Sequence, residues 1–201
     1  MRRIFLYMTL TFDGFLSGPH NELDWFKPGQ DDAMNRDILG ILDSADSLMM
    51  GYPTAPGMMA YWKEVGEKKS DPKWMLDIAA AMDNKHVFVI SNKNENLEME
   101  SAELVVVKND NELTSAVNKI RERRGGNICI LGGVSTAQNF SRLDLIDEYI
   151  LMVQPVAIAR GKPLFISKMR LEFVSSKPYD SGAIQVRYCP SRVSDGRAIR
   201  T

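Results

Sequence analysis

The sequence predicts an α/β fold with a central, mostly parallel sheet and antiparallel strands at its C-terminal edge. Two observations support this prediction. Between residues 3 and 153, short apolar runs alternate with segments whose apolar residues recur at helical spacing. The apolar runs are typical of strands buried on both faces of a sheet. After them, residues 171–175 and 183–189 are predicted as consecutive strands joined by the turn-forming segment 178–182. The length of 201 residues suits one domain, which we expect over residues 1–190, followed by a polar tail over residues 191–201.

Composition and charge exclude several classes of protein. Apolar residues make up 44% of the chain and the formal net charge is −1, so no long-range field favours nucleic acid or an anionic membrane as a partner. No apolar run approaches the length of a membrane span, and the apolar N-terminal residues meet Asp13-Gly14 without a signal-peptide cleavage site. The spacing of the two cysteines and two histidines matches no metal site. We therefore expect a cytoplasmic protein without a bound metal.

The first third of the chain is predicted as strand, loop and helix. A buried strand over residues 3–12 ends at the turn signal Asp13-Gly14. Residues 15–26 are predicted as one long loop, whose Trp25 and Phe26 favour a functional loop over a disordered one. Apolar residues at helical spacing then predict a helix over residues 31–46, with Asp31 or Asp32 as its N-cap.

The middle of the chain adds more strands and helices. The segment 51–57 is rich in Gly, Pro and Thr, and the charged segment 66–71 is predicted as a solvated loop. Asp71 as cap and Pro72 as the first helical residue indicate the next helix, and a further amphipathic helix is predicted over residues 110–124. Short apolar runs predict the intervening strands, which are 47–51, 85–91, 103–108 and 127–131.

The most informative local feature is Gly132-Gly133, which lies between the strand 127–131 and a predicted short helix at 134–140. Paired glycines let the backbone approach an anion closely, and a helix start offers unpaired N–H groups with partial positive charge. Ser135 and Thr136 add hydroxyl donors. An ordinary strand-to-helix turn remains the alternative, because a lone Gly-Gly pair is a weak signal.

The residues that follow resemble a known family. The Gly-Gly helix start is followed by Ile146-Asp147-Glu148 before a strand, then by Pro155-Val156 and by Gly161-Lys162-Pro163-Leu164-Phe165. This order resembles the dihydrofolate-reductase-like family, in particular the branch of the riboflavin-pathway reductase domain. The resemblance spans residues 2–189. It implies a three-layer α/β/α fold, NADPH as cofactor and, because members often dimerise, a homodimer.

The resemblance also implies cofactor-binding positions. Thr9 and Leu16 would lie near the nicotinamide, and Tyr52 stands where the family usually has an arginine that binds phosphate. Backbone amides and the Thr54 hydroxyl would hold phosphates, and the strand end at Ser91 and Asn92 would contact the ribose and its 2′-phosphate. Together with the Gly-Gly turn, the set is Thr9, Leu16, Gly51, Tyr52, Thr54, Ser91, Asn92, Gly132, Gly133, Val134, Ser135 and Thr136.

These observations lead to the hypothesis of an NADPH-dependent reductase that transfers hydride to a small heterocycle, either a dihydrofolate-like pterin or a ribosylaminopyrimidine. The proton would come from a carboxyl group in a dry pocket, with its pKa raised by desolvation, or from water that it holds. Asp13 is the first candidate, because it matches an acid in the resembling branch, and Asp24 beside Trp25 is the second. For Asp13, a turn-forming role is the alternative.

Two questions stay open at this point. Dihydrofolate reductases carry an acid on the helix after the first loop, and none of Asp31, Asp32 and Asp37 aligns securely with it. The absence of an arginine at Tyr52 also leaves room for a nucleotide-binding protein of the same fold without reductase activity.

Overall fold

The computed structural model describes residues 1–27, 29, 31–68 and 70–191. All but the first residue of the predicted polar tail therefore lies outside the described residues. Within them, strands and helices follow in this order: β1 (Ile4–Thr11), β2 (Phe15–Ser17), α1 (Asp32–Asp43), β3 (Ala45–Gly51), α2 (Ala55–Lys68), α3 (Lys73–Asp83), β4 (His86–Ser91), β5 (Ala102–Val106), α4 (Asp110–Glu122), β6 (Asn127–Leu131), α5 (Val134–Arg142), β7 (Glu148–Gln154), β8 (Lys162–Pro163), β9 (Leu171–Pro178) and β10 (Ile184–Pro190).

Eight of the strands form one mixed sheet in the order β5-β4-β3-β6-β1-β7-β10-β9. The six strands from β5 to β7 are parallel to their neighbours, whereas β10 is antiparallel to both β7 and β9. The short strands β2 and β8 pair separately. The predicted mixed sheet, mostly parallel with an antiparallel C-terminal edge, is confirmed.

Helices cover both faces of this sheet, which confirms the three-layer α/β/α architecture. Side chains of β1 alternate between the two faces, as the period of a strand requires: Ile4 and Leu6 join the cluster packed against α4 and α5. Phe5 and Tyr7 join the cluster packed against α1, α2 and α3. The long apolar run of β1 thus reflects burial on both sides.

The amino ends of the strands are closed by ion pairs. The buried guanidinium of Arg2 pairs with Asp46 and donates to Ser47 Oγ at 2.7 Å, and Arg121 Nη1 lies 2.6 Å from Asp147 Oδ2. The first pair ties the start of β1 to β3, and the second ties α4 to the start of β7. A cleft of about 800 Å³ lies beside these pairs at the amino ends, and further clefts lie at the carboxyl ends, the usual ligand side of a parallel sheet.

Several predicted boundaries were wrong in ways that the packing explains. The loop predicted over residues 15–26 begins with a strand, because Phe15 and Ser17 pair with β8. The charged segment predicted as loop at residues 66–71 is helical as far as Lys68, since Val65 is buried and Lys68 pairs with Glu64 one turn earlier.

The helix predicted after Asp71 also starts differently. Pro72 is the N-cap residue of α3, and no side chain caps this helix. At the end of α1 the predicted helix was too long, because the chain enters β3 already at Ala45. Cys129 and Cys189 are both free thiols. None of the helices in the described residues is long and apolar enough to cross a membrane.

Candidate functional site

The predicted binding positions lie along one rim of the sheet. Ser91 ends β4, Gly51 ends β3 and Gly132 follows β6, three strands that run parallel side by side with β1 next to them. Thr9 lies near the carboxyl end of β1. Because the carboxyl ends of parallel strands share one edge of the sheet, four segments far apart in sequence meet there.

The Gly-Gly turn has the backbone geometry of an anion site. Gly132 and Gly133 both have positive φ, +76° and +85°, a conformation that side chains other than glycine rarely adopt. Gly133 is also the N-cap of α5 and offers no side chain to cap it. The amides of the first turn, Val134 to Thr136, therefore have no acceptor within the helix, and they carry its partial positive charge.

The starts of α2 and α5 converge on one another at this turn. A Cβ atom on Gly51 would lie 2.5 Å from Thr136 Oγ1, and one on Gly133 would lie 3.2 Å from Thr136 Oγ1 and 3.4 Å from Thr54 Oγ1. Only glycine fits at either position without displacing a hydroxyl. The space between them opens into a cleft of about 440 Å³, which we call the glycine cleft; its lining includes Gly51, Thr54, Gly133, Val134, Ser135 and Thr136.

Two amides of the β3–α2 turn are already paired. Tyr52 N donates to Ile90 O at 2.9 Å, and Thr54 N donates to Gly51 O at 2.9 Å. Pro53 has no N–H to offer. The turn can therefore contribute the Thr54 hydroxyl and the dipole of α2, but not the amides of Tyr52 and Thr54. The Tyr52 hydroxyl donates to Asn96 O at 3.3 Å and supplies no positive charge in place of an arginine.

A second cleft of about 490 Å³ continues the glycine cleft toward β4 and β5. We call it the outer cleft. It shares Gly51, Ser135 and Thr136 with the glycine cleft and adds Tyr52, Ser91, Asn92, Lys93 and Lys108. Ser91 Oγ accepts from Lys93 N at 3.1 Å, which fixes the turn after β4. Its lining thus combines hydroxyl, amide and ammonium groups, which suit a phosphate, with the carboxylates of Glu95 and Asp110, of which Asp110 is paired with Arg142.

On the other side of the Gly-Gly turn lies an apolar cavity of about 590 Å³. We call it the aromatic cavity. Six aromatic side chains from four segments line it, namely Tyr7, Trp25 and Phe26, Tyr61 and Trp62, and Trp74. Tyr61 and Trp62 both belong to α2. Thr9, Leu131 and Gly132 are also part of its lining.

The loop after β2 closes against this cavity. Gly29 has a φ of +83°, and a Cβ atom there would lie 2.5 Å from the indole of Trp74. Gly29 thus lies against the indole, at a position where a side chain would collide with it. The loop predicted to be functional therefore supplies part of the cavity, through Leu23, Trp25 and Phe26.

The cavity contains buried polar atoms without partners. Asn35 on α1 is 5% exposed, and neither its Nδ2 nor its Oδ1 has a hydrogen-bond partner within the described structure; the same holds for Trp25 Nε1. Sequence reasoning missed Asn35, although a signal was present. It occupies the buried stripe of α1 with Ile38 and Leu42, at helical spacing, where an apolar residue is expected.

Asp13 is not the acid in a dry pocket that the sequence suggested. It is exposed, and its carboxylate accepts hydrogen bonds from Thr11 Oγ1 at 2.6 Å, Ala159 N at 2.8 Å and Ile158 N at 3.1 Å. The Thr11 hydroxyl, followed by these amides, holds the pKa of Asp13 below its usual range. The expectation of a raised pKa was wrong. Asp13 lines neither the aromatic cavity nor the two clefts.

None of the other candidate acids lines the aromatic cavity, and Asp32 lines a separate cleft with Lys73 and Asp77. Asp24 is exposed on the loop. Asp31 is the N-cap of α1, where it accepts from Met34 N at 2.9 Å. Asp37 accepts from Tyr179 Oη at 2.6 Å and pairs with Lys177. The described residues that line the aromatic cavity include no carboxylate at all.

Leu16 of β2 and Tyr7 of β1 differ in whether they reach the binding spaces. Leu16 is 4% exposed and packs in the cluster of the α4 and α5 face, so its side chain lines neither cleft nor cavity. Tyr7, which sequence reasoning did not single out, lies at the cavity instead. Burial raises the pKa of Tyr7 far above its usual value, so its hydroxyl stays protonated.

Comparisons with known proteins agree with this architecture. A protein-family model described as the RibD C-terminal domain matches residues 2–185. The uncharacterized protein YyaP of Bacillus subtilis (strain 168) is 29% identical over 190 residues, which cover 93% of this chain and 94% of the relative.

Solved structures share the fold. A putative riboflavin biosynthesis protein from Shewanella sp. PV-4 superimposes with a TM-score of 0.65 at 22% identity, covering 94% of this chain and 99% of that one. Dihydrofolate reductase from Enterococcus faecalis, solved with NADP(H) and RAB-propyl, superimposes with a TM-score of 0.59 at 12% identity, covering 94% and 96%. The fold is thus the dihydrofolate-reductase-like one, and the chain belongs to the RibD C-terminal domain family.

Proposed function

We propose that this protein is an NADPH-dependent reductase that transfers hydride to a small heterocyclic substrate. The observation that supports this best is the position of the Gly-Gly turn between two different binding spaces. Gly133 lines the polar glycine cleft, and Gly132 lines the aromatic cavity. A ligand that carries a diphosphate at its centre and an aromatic ring at one end matches this arrangement, in which a polar cleft adjoins an aromatic cavity.

The residues present fit such a cofactor. The first turn of α5 and the hydroxyls of Thr54 and Thr136 would bind the diphosphate, in a space that a Cβ atom on Gly51 or Gly133 would disturb. Ser91, Asn92 and Lys93 would bind the ribose and its 2′-phosphate in the outer cleft. When bound, the reduced nicotinamide supplies the hydride. Thr9, beside Gly132, would then face the ring from the floor of the cavity.

The proton has a different source from the one that the sequence suggested. With no carboxylate among the described residues of the aromatic cavity, the groups there that can hold or pass a proton are the hydroxyls of Tyr7, Thr9 and Tyr61, or water bound to them. The raised pKa of Tyr7 keeps its proton in place as a hydrogen-bond donor. A carboxylic acid in the cavity is not required by this arrangement.

The alternative is a protein that binds the nucleotide and does not catalyse hydride transfer. It is favoured by the same lack of a carboxylate, and by Tyr52 at the position where an arginine was expected. The two proposals share the cofactor site and differ only in turnover.

One experiment separates them. All three tryptophans of the chain, Trp25, Trp62 and Trp74, line the aromatic cavity, so a nicotinamide that enters it should quench their fluorescence. NADPH and NADH are titrated first, and oxidation of NADPH is then followed with dihydrofolate or a ribosylaminopyrimidine. Quenching with substrate-dependent oxidation supports the reductase, quenching without oxidation supports the binding protein, and no quenching by either nucleotide contradicts both.

A homodimer and a cytoplasmic location stay predictions. The edge strand β9 and its neighbour β10 expose Phe173, Val174 and Ile184, which gives a second copy an apolar surface to cover. Light scattering in solution would test the dimer, and localisation of the tagged protein would test the compartment.

A further inference from the structure

We infer that Lys162, on the short strand β8, supplies the positive charge that binds a diphosphate in the glycine cleft. This rests on the proposed function in taking a dinucleotide as the ligand of the cleft, but it requires no hydride transfer. The charge expected from an arginine at Tyr52 is thus supplied from a different segment of the chain.

The need for a cation follows from the charge of the ligand. Amides and hydroxyls of the cleft satisfy the oxygens of a diphosphate, but they leave its net negative charge, and a charge taken out of water without an opposite charge is costly. Among the described residues that line the glycine cleft, Lys162 is the one charged side chain. Lys93 and Lys108 line the outer cleft instead. The charge balance of the glycine cleft therefore depends on Lys162.

The backbone beside Lys162 is fixed on two sides. Gln138 Nε2 donates to Pro163 O at 2.7 Å, and this bond ties β8 to α5, the helix whose first turn carries amides without an acceptor. On the other side, Gly161 packs directly against β2, because a Cβ atom there would collide with Ser17 O. The lysine side chain thus starts from a fixed point beside the first turn of α5, which lowers the entropy lost when it binds an anion.

The ammonium group of Lys162 keeps its charge in this structure. Its Nζ donates to Asn21 Oδ1 at 2.5 Å, and this amide oxygen is a neutral acceptor. A lysine ammonium has three N–H groups, so the bond to Asn21 leaves donors for phosphate oxygens. Glu22 is the neighbouring carboxylate on the same loop, but its Oε2 accepts from His20 N at 2.7 Å and it does not line the cleft.

The test compares Lys162→Met with a matched control. The probe is ADP-ribose, which carries the diphosphate but no nicotinamide, and its binding is measured by isothermal titration calorimetry beside that of NADH and NADPH. We expect Lys162→Met to weaken all three by a similar factor, roughly tenfold, because each ligand loses one charge-assisted hydrogen bond. Lys168→Met removes an exposed lysine six residues further on that lines neither cleft, and it should change none of the three affinities.

Two further variants separate the charge of Lys162 from its bond to the loop. Lys162→Arg keeps the charge and should restore most of the affinity. Asn21→Gly removes the neutral partner and keeps the charge, so it should weaken binding less than Lys162→Met does. Glycine suits this position because Asn21 has a φ of +71°. The affinity of the wild type for ADP-ribose should also fall more steeply with added salt than that of Lys162→Met.

Three results would overturn the inference. The first is an unchanged affinity for ADP-ribose in Lys162→Met. The second is an equal loss in Lys162→Met and Asn21→Gly, because Lys162 would then act only by holding the loop in place. The third is a wild-type protein that does not bind ADP-ribose at all.

The outcome is separable from that of the proposed function. A loss of ADP-ribose in Lys162→Met, together with no oxidation of NADPH by the wild type with any heterocycle, would leave the inference standing and overturn the reductase. Oxidation of NADPH by Lys162→Met with an unchanged KM for NADPH would do the reverse.

Discussion

The glycine cleft and the aromatic cavity meet at one Gly-Gly turn, yet they are built by different means. The centre of the cleft is formed by the Gly51 and Gly133 turns, two threonine hydroxyls and the starts of two helices, and Asn21 and Lys162 also belong to its lining. The cavity consists of side chains from β1, the loop after β2, α1, α2 and α3. We propose that the first site binds an anion through backbone amides whose geometry is set by short local segments. The second is assembled by the tertiary fold.

The largest effect should come from filling the glycine cleft. In Gly133→Ala, the new methyl group approaches Thr136 Oγ1 and Thr54 Oγ1 at 3.2 and 3.4 Å, so the first turn of α5 must shift away from the diphosphate. Losing one charge-assisted hydrogen bond should weaken NADPH binding roughly 10- to 100-fold. Titration with NADPH, followed by tryptophan fluorescence, measures this loss.

Gly182→Ala is the matched control. Gly182 has nearly the same φ, +83°, and a Cβ atom there would meet Pro155 Cγ at 3.3 Å, but it lies in the turn before β10. Both variants carry similar backbone strain, of about 1–2 kcal/mol. If Gly182→Ala lost NADPH as strongly as Gly133→Ala did, general destabilisation would explain the result and the assignment of the cleft would be wrong.

A smaller effect is expected at the outer cleft. Lys93 lines it beside Ser91, and removing an exposed cation from a phosphate weakens binding by at most about 1 kcal/mol. In Lys93→Met, the affinity for NADPH should fall about two- to fivefold while the affinity for NADH stays the same. Lys63→Met, an exposed lysine on α2, should change neither. An equal loss for both nucleotides would mean that Lys93 does not contact the 2′-phosphate.

The smallest effect on catalysis is expected at Asp13. Because its carboxylate anchors the amides of Ile158 and Ala159 and lines no binding space, Asp13→Asn should leave turnover and its pH profile unchanged. Its folded-state pKa lies below the ordinary value of about 3.9. The stability that it contributes is therefore present above that pH and lost as the pH falls through the folded-state pKa.

Acid unfolding of Asp13→Asn should accordingly depend less steeply on pH in this range than that of the wild type. Asp24→Asn, at an exposed position of the loop, serves as control and should follow the wild type. A loss of turnover in Asp13→Asn with unaltered NADPH binding would restore Asp13 as the proton donor.

Features set by interactions between neighbouring residues could be predicted from the sequence, whereas features set by contacts between distant residues could not. The strand over residues 127–131 and the Gly-Gly turn after it were predictable, because apolar patterning and glycine act over a few neighbouring residues. The environment of Asp13 was not, because it depends on amides about 145 residues away. The position of Asn35 at the cavity needs α1, the loop after β2 and α3 to meet, although its place on an apolar stripe was visible in the sequence.

The most direct test of the contrast between cleft and cavity is a crystal structure of this protein with NADP⁺. The diphosphate should lie within hydrogen-bonding distance of the amides of Ser135 or Thr136, and the nicotinamide should lie beyond Gly132, against Thr9 in the aromatic cavity. A diphosphate bound away from the first turn of α5, for example at Arg2 and Arg121 on the amino side of the sheet, would contradict both the site and the function proposed from it.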